Sequence, residues 1–363
     1  MQAVSSLANM ALDPQIQAMR VCNLSNGPHA NARVPPSKPE RCVTNMPPIA
    51  DPQTTLTLRP DSEGLAAAAA LLQSGALVAF PTETVYGLGG NARDAAAVAN
   101  IYAAKGRPSF NPLIVHVADL AAAEEIAVFS DQAREIAAKF WPGPLTLVLP
   151  LRPEAGIADL VTAGLETIAI RIPAHPIARG LLAAFGGAVA GPSANPSGKI
   201  SPTTAAHVLA GLSGKIAAVV DGGACIVGVE STILSVEPLR LLRQGGVSEE
   251  ALTQVLGPLT QGGDADKPNA PGQLTSHYAP AASVRLGVSA PEADEIWIGF
   301  GACDGAALTL SQTGDLTEAA TRLFAVLREA DAIGRPIAVA PVPEIGLGRA
   351  INDRLRRAAA PRD

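Results

Sequence analysis

Aromatic residues are scarce in this chain: two Trp, three Tyr and seven Phe in 363 positions. Its core therefore has to be assembled from Ala, Val, Leu and Ile. Charge is sparse too, at 17% of residues with a formal net charge of -6. That balance argues against a protein that binds mainly by neutralising phosphate backbones, while leaving room for a local basic cleft. Cysteine is limited to Cys22, Cys42, Cys225 and Cys303, with no C-x-x-C pair and no zinc-like spacing, which fits a reduced, cytoplasmic protein. No basic cluster followed by an apolar run opens the sequence, so no secretory signal is expected. The most apolar stretch, 66–80, is interrupted by Gln73, Ser74 and Gly75 and is too short to span a membrane.

The length suggests two domains. Residues 1–52 are rich in proline and lack apolar periodicity. They read as a disordered extension, with Met46 as a candidate start. From 54 onward the pattern changes. Strands are expected at 54–58, 76–80, 113–117, 145–149, 168–172, 188–190, 217–220, 231–236 and 239–242. Helices are expected at 62–73 (capped by Ser62), 94–104, 130–140, 176–184, 203–209 and 248–256. Together these give a layered α/β domain over 53–256. Residues 257–282 are Gly, Pro and polar residues and read as a linker. Strands at 283–287, 295–300 and 336–340, with helices at 316–333 and 345–358, make a smaller α/β domain over 283–363.

Several strand ends carry chemistry. GLGGNA (87–92) has the form of a dinucleotide fingerprint, but PTETVY intervenes between strand and glycines. GPSANPSGK (191–199) fails as a P-loop, with six residues between its first and last glycines and no Ser or Thr after Lys199. Lys105 and Arg107, stiffened by Pro108, suit an anion such as a triphosphate, or simply complement a helix C-terminus. His116, ending an apolar strand, is by itself more often structural than functional. Arg171 interrupts an apolar strand and needs a partner, either a ligand's carboxylate or phosphate or an internal Asp or Glu. The loop 192–198 presents small donors to an anion or is an ordinary Asn/Ser turn. Val229-Glu230-Ser231-Thr232 and Arg243 add polar groups at further strand ends, and ligands bind in such crevices.

Taken in order, PTETVYGLG (81–89), KGRP (105–108), NPLIVHV (111–117), WPGPLTLVL (141–149), IRIP (170–173), GPSANPSG (191–198), VGVESTI (227–233), RQGG (243–246), APGQLTSHYAP (270–280) and GLGRAINDRLRRAA (346–359) resemble the Sua5/YrdC/YciO family in its long, two-domain form. The likeness spans 54–359 and departs at Gln273, where methionine is expected. It implies a YrdC-like twisted, open mixed sheet with helices, followed by a smaller C-terminal α/β domain. It also implies synthesis of threonylcarbamoyl-AMP and pyrophosphate from L-threonine, bicarbonate or CO2, and ATP accompanied by Mg2+. The product would feed the t6A modification of tRNA through other proteins.

By the same resemblance Thr84, His116, Arg171 and Ser231 contact threonine. Arg107, Asn111, Thr167, Ser193, Ser201 and Arg243 hold ATP, and Lys105 and Arg107 face the phosphates as the catalytic pair. Tyr278 closes over the nucleotide, making 257–282 a lid. No side chain has the character of a covalent nucleophile, so catalysis is expected to come from positioning and charge neutralisation. Two rivals remain. One is a double-stranded-RNA-binding, translation-associated module, or at least weak RNA contact; the charge and the scarcity of aromatics count against it. The other is a carbamoyl-phosphate-dependent transfer component, whose zinc-finger and acylphosphatase segments this sequence does not contain.

Overall fold

A computed structural model describes residues 54–262 and 277–361. The expected extension over 1–52, with Met46, and the 263–276 part of the expected linker, with Gln273, lie outside the described residues. The chain runs β1 (Leu56–Leu58), α1 (Ser62–Gln73), β2 (Val78–Phe80), β3 (Gly87–Asn91), α2 (Ala95–Lys105), β4 (Ile114–His116), α3 (Leu120–Glu124), α4 (Asp131–Phe140), β5 (Leu145–Pro150), α5 (Asp159–Thr162), β6 (Thr167–Arg171), α6 (Pro176–Phe185), β7 (Val189–Ala190), α7 (Ala205–Leu212), β8 (Ala218–Val220), β9 (Thr232–Ser235), β10 (Arg240–Arg243), α8 (Glu249–Leu256) and β11 (Thr260–Gln261). These strands form one 11-stranded mixed sheet in the order β1-β8-β2-β3-β7-β4-β6-β5-β9-β10-β11. Then follow β12 (Val284–Leu286), β13 (Ile296–Gly299), β14 (Leu308–Thr309), α9 (Leu316–Ile333), β15 (Ile337–Val339) and α10 (Leu347–Ala359). Their strands make a parallel 4-stranded sheet ordered β12-β15-β13-β14.

Local chemistry explains most element ends. Asp94, Ser130, Thr204 and Ser248 each accept a backbone N–H of the first turn that follows them. At α1 the cap is Asp61, not the expected Ser62: its carboxylate accepts the Gly64 N–H at 2.9 Å, so Ser62 is already helical. The glycines of 87–90 build a strand rather than a loop. A Cβ at Gly89 would lie 2.9 Å from the Phe80 ring and 3.0 Å from Val189 Cγ1, so only glycine lets β3 fit beside β2 and β7. The sheet also runs past 256, where the linker was expected to start. β11 pairs parallel with β10, and its two exposed polar residues add backbone hydrogen bonds without any apolar signature.

The main core lies under one face of the large sheet, with Leu88, Val115, Leu147, Ile170 and Leu234 packed on helices such as α2 and α4. The opposite face carries two further apolar clusters: Val78, Phe80, Val189 and Val220 packed on α1 and α6, and a small patch of Ile114, Val148, Ala169, Ile233 and Leu242. The core of the small sheet includes Val85, Ile200, Val229 and Tyr278 beside Leu323, Phe324 and Ile351, so apolar burial docks the second sheet onto loops of the first. Among the described residues no helix is long and apolar enough to cross a membrane.

Gly228 marks the tightest point of that docking. It has φ +78°, and an added Cβ would lie 2.3 Å from Ala320 O and Thr321 Cα of α9. Gly228→Ala is expected to cost about 1–3 kcal/mol, read as a lower urea midpoint. An unchanged midpoint would show that this approach is not tight in solution.

Candidate active site

Sheet topology collects the functional side chains at one edge. β4 and β6 are parallel, and their last residues, His116 and Arg171, are register partners. β5 runs antiparallel to β6, and β9 runs parallel to β5. The starts of β5 and β9, next to Gly143 and Ser231, therefore meet the same edge. β10 is antiparallel to β9, which brings its last residue, Arg243, there as well. The turn between β2 and β3 adds Thr82, Glu83 and Thr84. The resulting cleft is lined by Thr84, Arg107, His116, Arg171, Ser231 and Arg243, polar and cationic groups converging in a concave site.

Arg171 is nearly buried and fully oriented. Its Nε donates to Gly143 O at 3.1 Å, one terminal nitrogen to Thr84 Oγ1 at 2.9 Å, and the other to Glu83 Oε1 at 2.5 Å. Glu83 Oε2 accepts the Ala174 N–H at 3.1 Å. Thr82 donates its single hydroxyl proton to Val85 O at 2.7 Å, so Thr84 donates to Thr82 and is left to accept from Arg171. A guanidinium carries five N–H groups; these three bonds leave two to meet a ligand. Burial, the largest influence, pushes the Glu83 carboxyl up, but the charge and hydrogen bond of Arg171 hold it below its ordinary value. Burial, reinforced by Arg171, drives the His116 imidazole down to about 3, so it is neutral at physiological pH, and its Nδ1 is buried with no partner.

The cations on the other side are held by backbone. Lys105 Nζ donates to Ser193 O and Asn195 O at 2.5 Å each. Arg107 donates from Nε to Asn111 O at 3.2 Å and from a terminal nitrogen to Pro112 O at 2.9 Å. Arg243 bonds Ser231 O at 2.8 Å and Ser231 Oγ at 3.2 Å, and Ser231 Oγ also lies 2.7 Å from Thr146 Oγ1. Burial lowers the Lys105 ammonium well below its ordinary range and brings Arg107 and Arg243 to about 10.

Residues 70–245 match the Sua5/YciO/YrdC family, described as telomere recombination, and residues 247–360 match a family described as threonylcarbamoyl-AMP synthase, C-terminal domain. The threonylcarbamoyl-AMP synthase of Bacillus subtilis is 50% identical over 236 residues, 63% of this chain and 68% of its own. That of Pyrococcus abyssi is 42% identical over 320 residues, 80% and 93% of the two chains. The chain belongs to the Sua5-type threonylcarbamoyl-AMP synthase family. Among solved structures, that of the Pyrococcus abyssi Sua5 complexed with L-threonine superimposes with a TM-score of 0.78 at 39% identity, covering 84% of this family member and 97% of the archaeal chain.

Of the residues expected to act, Thr84, Arg107, His116, Arg171, Ser193, Ser231, Arg243 and Tyr278 line the cleft of this family member. Four do not. Lys105 lies behind the 191–198 loop, which its ammonium anchors. Asn111 is buried beside Arg107 with its Oδ1 unpartnered. Ser201 is fully buried and donates to Glu230 Oε1 at 2.7 Å. Thr167 starts β6, pairs with Pro150 and sits about 13 Å along the strand from Arg171; the alternation of β6 puts both on one face. Sequence reasoning assigned no role to Thr82, Glu83, Glu230 or His277. The Thr-Glu-Thr and His-Tyr dipeptide neighbours were the available signals.

Tyr278 adopts φ +61°, which is unusual for a non-glycine residue. Its ring stacks on Phe324 of α9 at 5.4 Å and meets His277 edge-on at 4.1 Å. Ala279 N donates to Gly198 O at 2.8 Å, tying this segment to the 191–198 loop.

Glu83→Gln is expected to cost about 3 kcal/mol at neutral pH in urea unfolding. Because the folded carboxyl titrates below 4.5, its contribution is complete above that value and is lost as pH falls through the depressed one. The gap between wild type and variant should therefore shrink on acidification; a gap that stays constant would mean the ion pair contributes nothing.

Proposed function

We propose that this cleft joins L-threonine, CO2 and ATP into threonylcarbamoyl-AMP, releasing pyrophosphate, with threonine at the Arg171 end and ATP toward Arg107. The carrying observation is that Arg107, half-buried in the cleft wall, donates to the backbone carbonyls of Asn111 and Pro112. Desolvated positive charge satisfied only by neutral groups is favourable for a site that takes a polyanion. The family membership and the threonine complex of the archaeal relative support the same assignment.

In this scheme the two remaining N–H groups of Arg171 take the threonine carboxylate, with Thr84, His116 and Ser231 around it. The amine nitrogen bonds CO2 and releases a proton to water. A carbamate oxygen then bonds the α-phosphorus as the bond to the β-phosphate oxygen breaks, and pyrophosphate leaves with that electron pair. Arg107 and Arg243 offset its charge, and Lys105 holds the loop that carries Ser193. Thr167 shares a strand face with Arg171, Asn111 and Ser201 support the wall of the ATP side from behind, and Tyr278 covers the nucleotide. The described residues contain no cluster of His, Cys, Asp or Glu suited to a metal, and both oxygens of Glu230 are engaged. Mg2+ enters in this scheme with the ATP substrate, held mainly by phosphates and water. The product would pass to the proteins that modify tRNA, a hand-over that a cytoplasmic enzyme suits.

Purified protein should release pyrophosphate only when ATP, Mg2+, bicarbonate and L-threonine are all present. Arg171→Ala should lower kcat/KM for threonine by about 100-fold or more. Folded protein that releases none would overturn the assignment and favour RNA binding instead.

A further inference from the structure

α10 buries a stripe of Gly348, Ala350, Ile351, Leu355 and Ala358, and Arg354 sits on that stripe with no exposure at all. Its Nε donates to Glu230 Oε2 at 3.0 Å, and one terminal nitrogen donates to Gln244 O at 2.6 Å and Asp353 Oδ2 at 2.9 Å. The other terminal nitrogen is buried without a partner. The guanidinium also lies 5.7 Å from the centre of the Tyr278 ring. Glu230, in turn, lines the cleft beside Arg107, Arg243 and His277. A carboxylate in the wall of a site for a triphosphate repels its ligand unless it is neutralised.

We propose that Arg354 is a positioning residue for ATP: reaching from the second domain, it neutralises Glu230 from behind and fixes Tyr278, so that the polyanion can enter. This rests on the cleft being the ATP site. The charged and titratable groups facing Glu230 are Arg354 from α10, itself paired with Asp353, Arg243 from β10, and His277 and Tyr278 from the covering segment; Ser201 adds a neutral hydroxyl. Burial pushes the Glu230 carboxyl up, and Arg354, followed by Arg243, pulls it below its ordinary value. Without Arg354, burial faces less opposition and the carboxyl titrates higher.

ATP affinity by titration calorimetry, and KM for ATP in pyrophosphate release, test this on the full chain with Arg354→Met, Glu230→Gln and the double variant. Arg354→Met should weaken ATP about tenfold at about pH 8, and less as the pH falls and Glu230 takes up a proton. Glu230→Gln alone should leave ATP affinity equal or tighter. The double variant should return to within about threefold of wild type. A merely structural arginine would give a double variant as impaired as Arg354→Met, with no pH dependence of the defect, and either result overturns the proposal. If Arg354→Met does not fold, Glu230→Gln decides alone: a tenfold loss of ATP affinity overturns the proposal, and equal or tighter binding supports it. Failure of the synthase assignment is distinguishable, because wild type would then release no pyrophosphate whatever these variants do.

Discussion

A guanidinium fixed at the end of a buried strand is the constraint on which the rest of this site depends. Arg171 cannot sit among Ile168, Ile170 and Ile172 without partners for its charge. Glu83 supplies the countercharge, and Thr84 and Gly143 fix the plane. Each comes from a different segment, so the turn after β2 and the loop before β5 must both reach the end of β6. Glycine at 89 lets β3 return close under Phe80, which keeps that turn short and its Thr-Glu-Thr tip at the sheet edge. The strand order of the large sheet and the orientation of one side chain are thus one problem.

The second domain takes part in the same electrostatics. Its core is continuous with Val85, Ile200 and Val229, which neighbour the residues of the cleft. Arg328 of α9 donates to Ile200 O, next to Ser201, and Arg354 of α10 reaches Glu230. Docking therefore seals an apolar seam and sets the charge of the cleft wall together. Tyr278 lies where the two meet, its ring shared between Phe324 and Arg354 and its neighbour His277 facing the cleft.

Much of this was legible in the sequence where side-chain pattern and role coincide. The apolar runs around 114 and 170 gave strands, and an arginine interrupting one of them announced a buried charge; an internal acid and a ligand stood as alternative partners, and Glu83 turns out to be one of them. Other features left weaker traces. Apart from Leu88, β3 is glycine and asparagine, so it has no strand pattern, and its existence depends on the close approach of Phe80. The partners of Lys105 are carbonyls, which every residue has, so no sequence pattern distinguishes an anchor from a phosphate ligand. Arg354 lies in a helix with four arginines. Only its place on the 348, 351, 355, 358 stripe sets it apart, and that stripe acquires meaning once the helix is docked.

The charge of the cleft also bears on how a weak nucleophile is made ready. With His116 held near 3, no imidazole is poised to accept a proton at neutral pH. A nearby positive charge disfavours an ammonium and favours its neutral amine. In the proposed scheme, threonine beside Arg171, in a cleft also lined by Arg107 and Arg243, would therefore lose its amine proton more readily than in water. The same field then favours the carbamate, which is anionic, and the pyrophosphate that departs. One excess of buried cations, kept from being excessive by Glu83 and Glu230, is thus suited to each successive charge state of the reaction without any residue changing its own protonation.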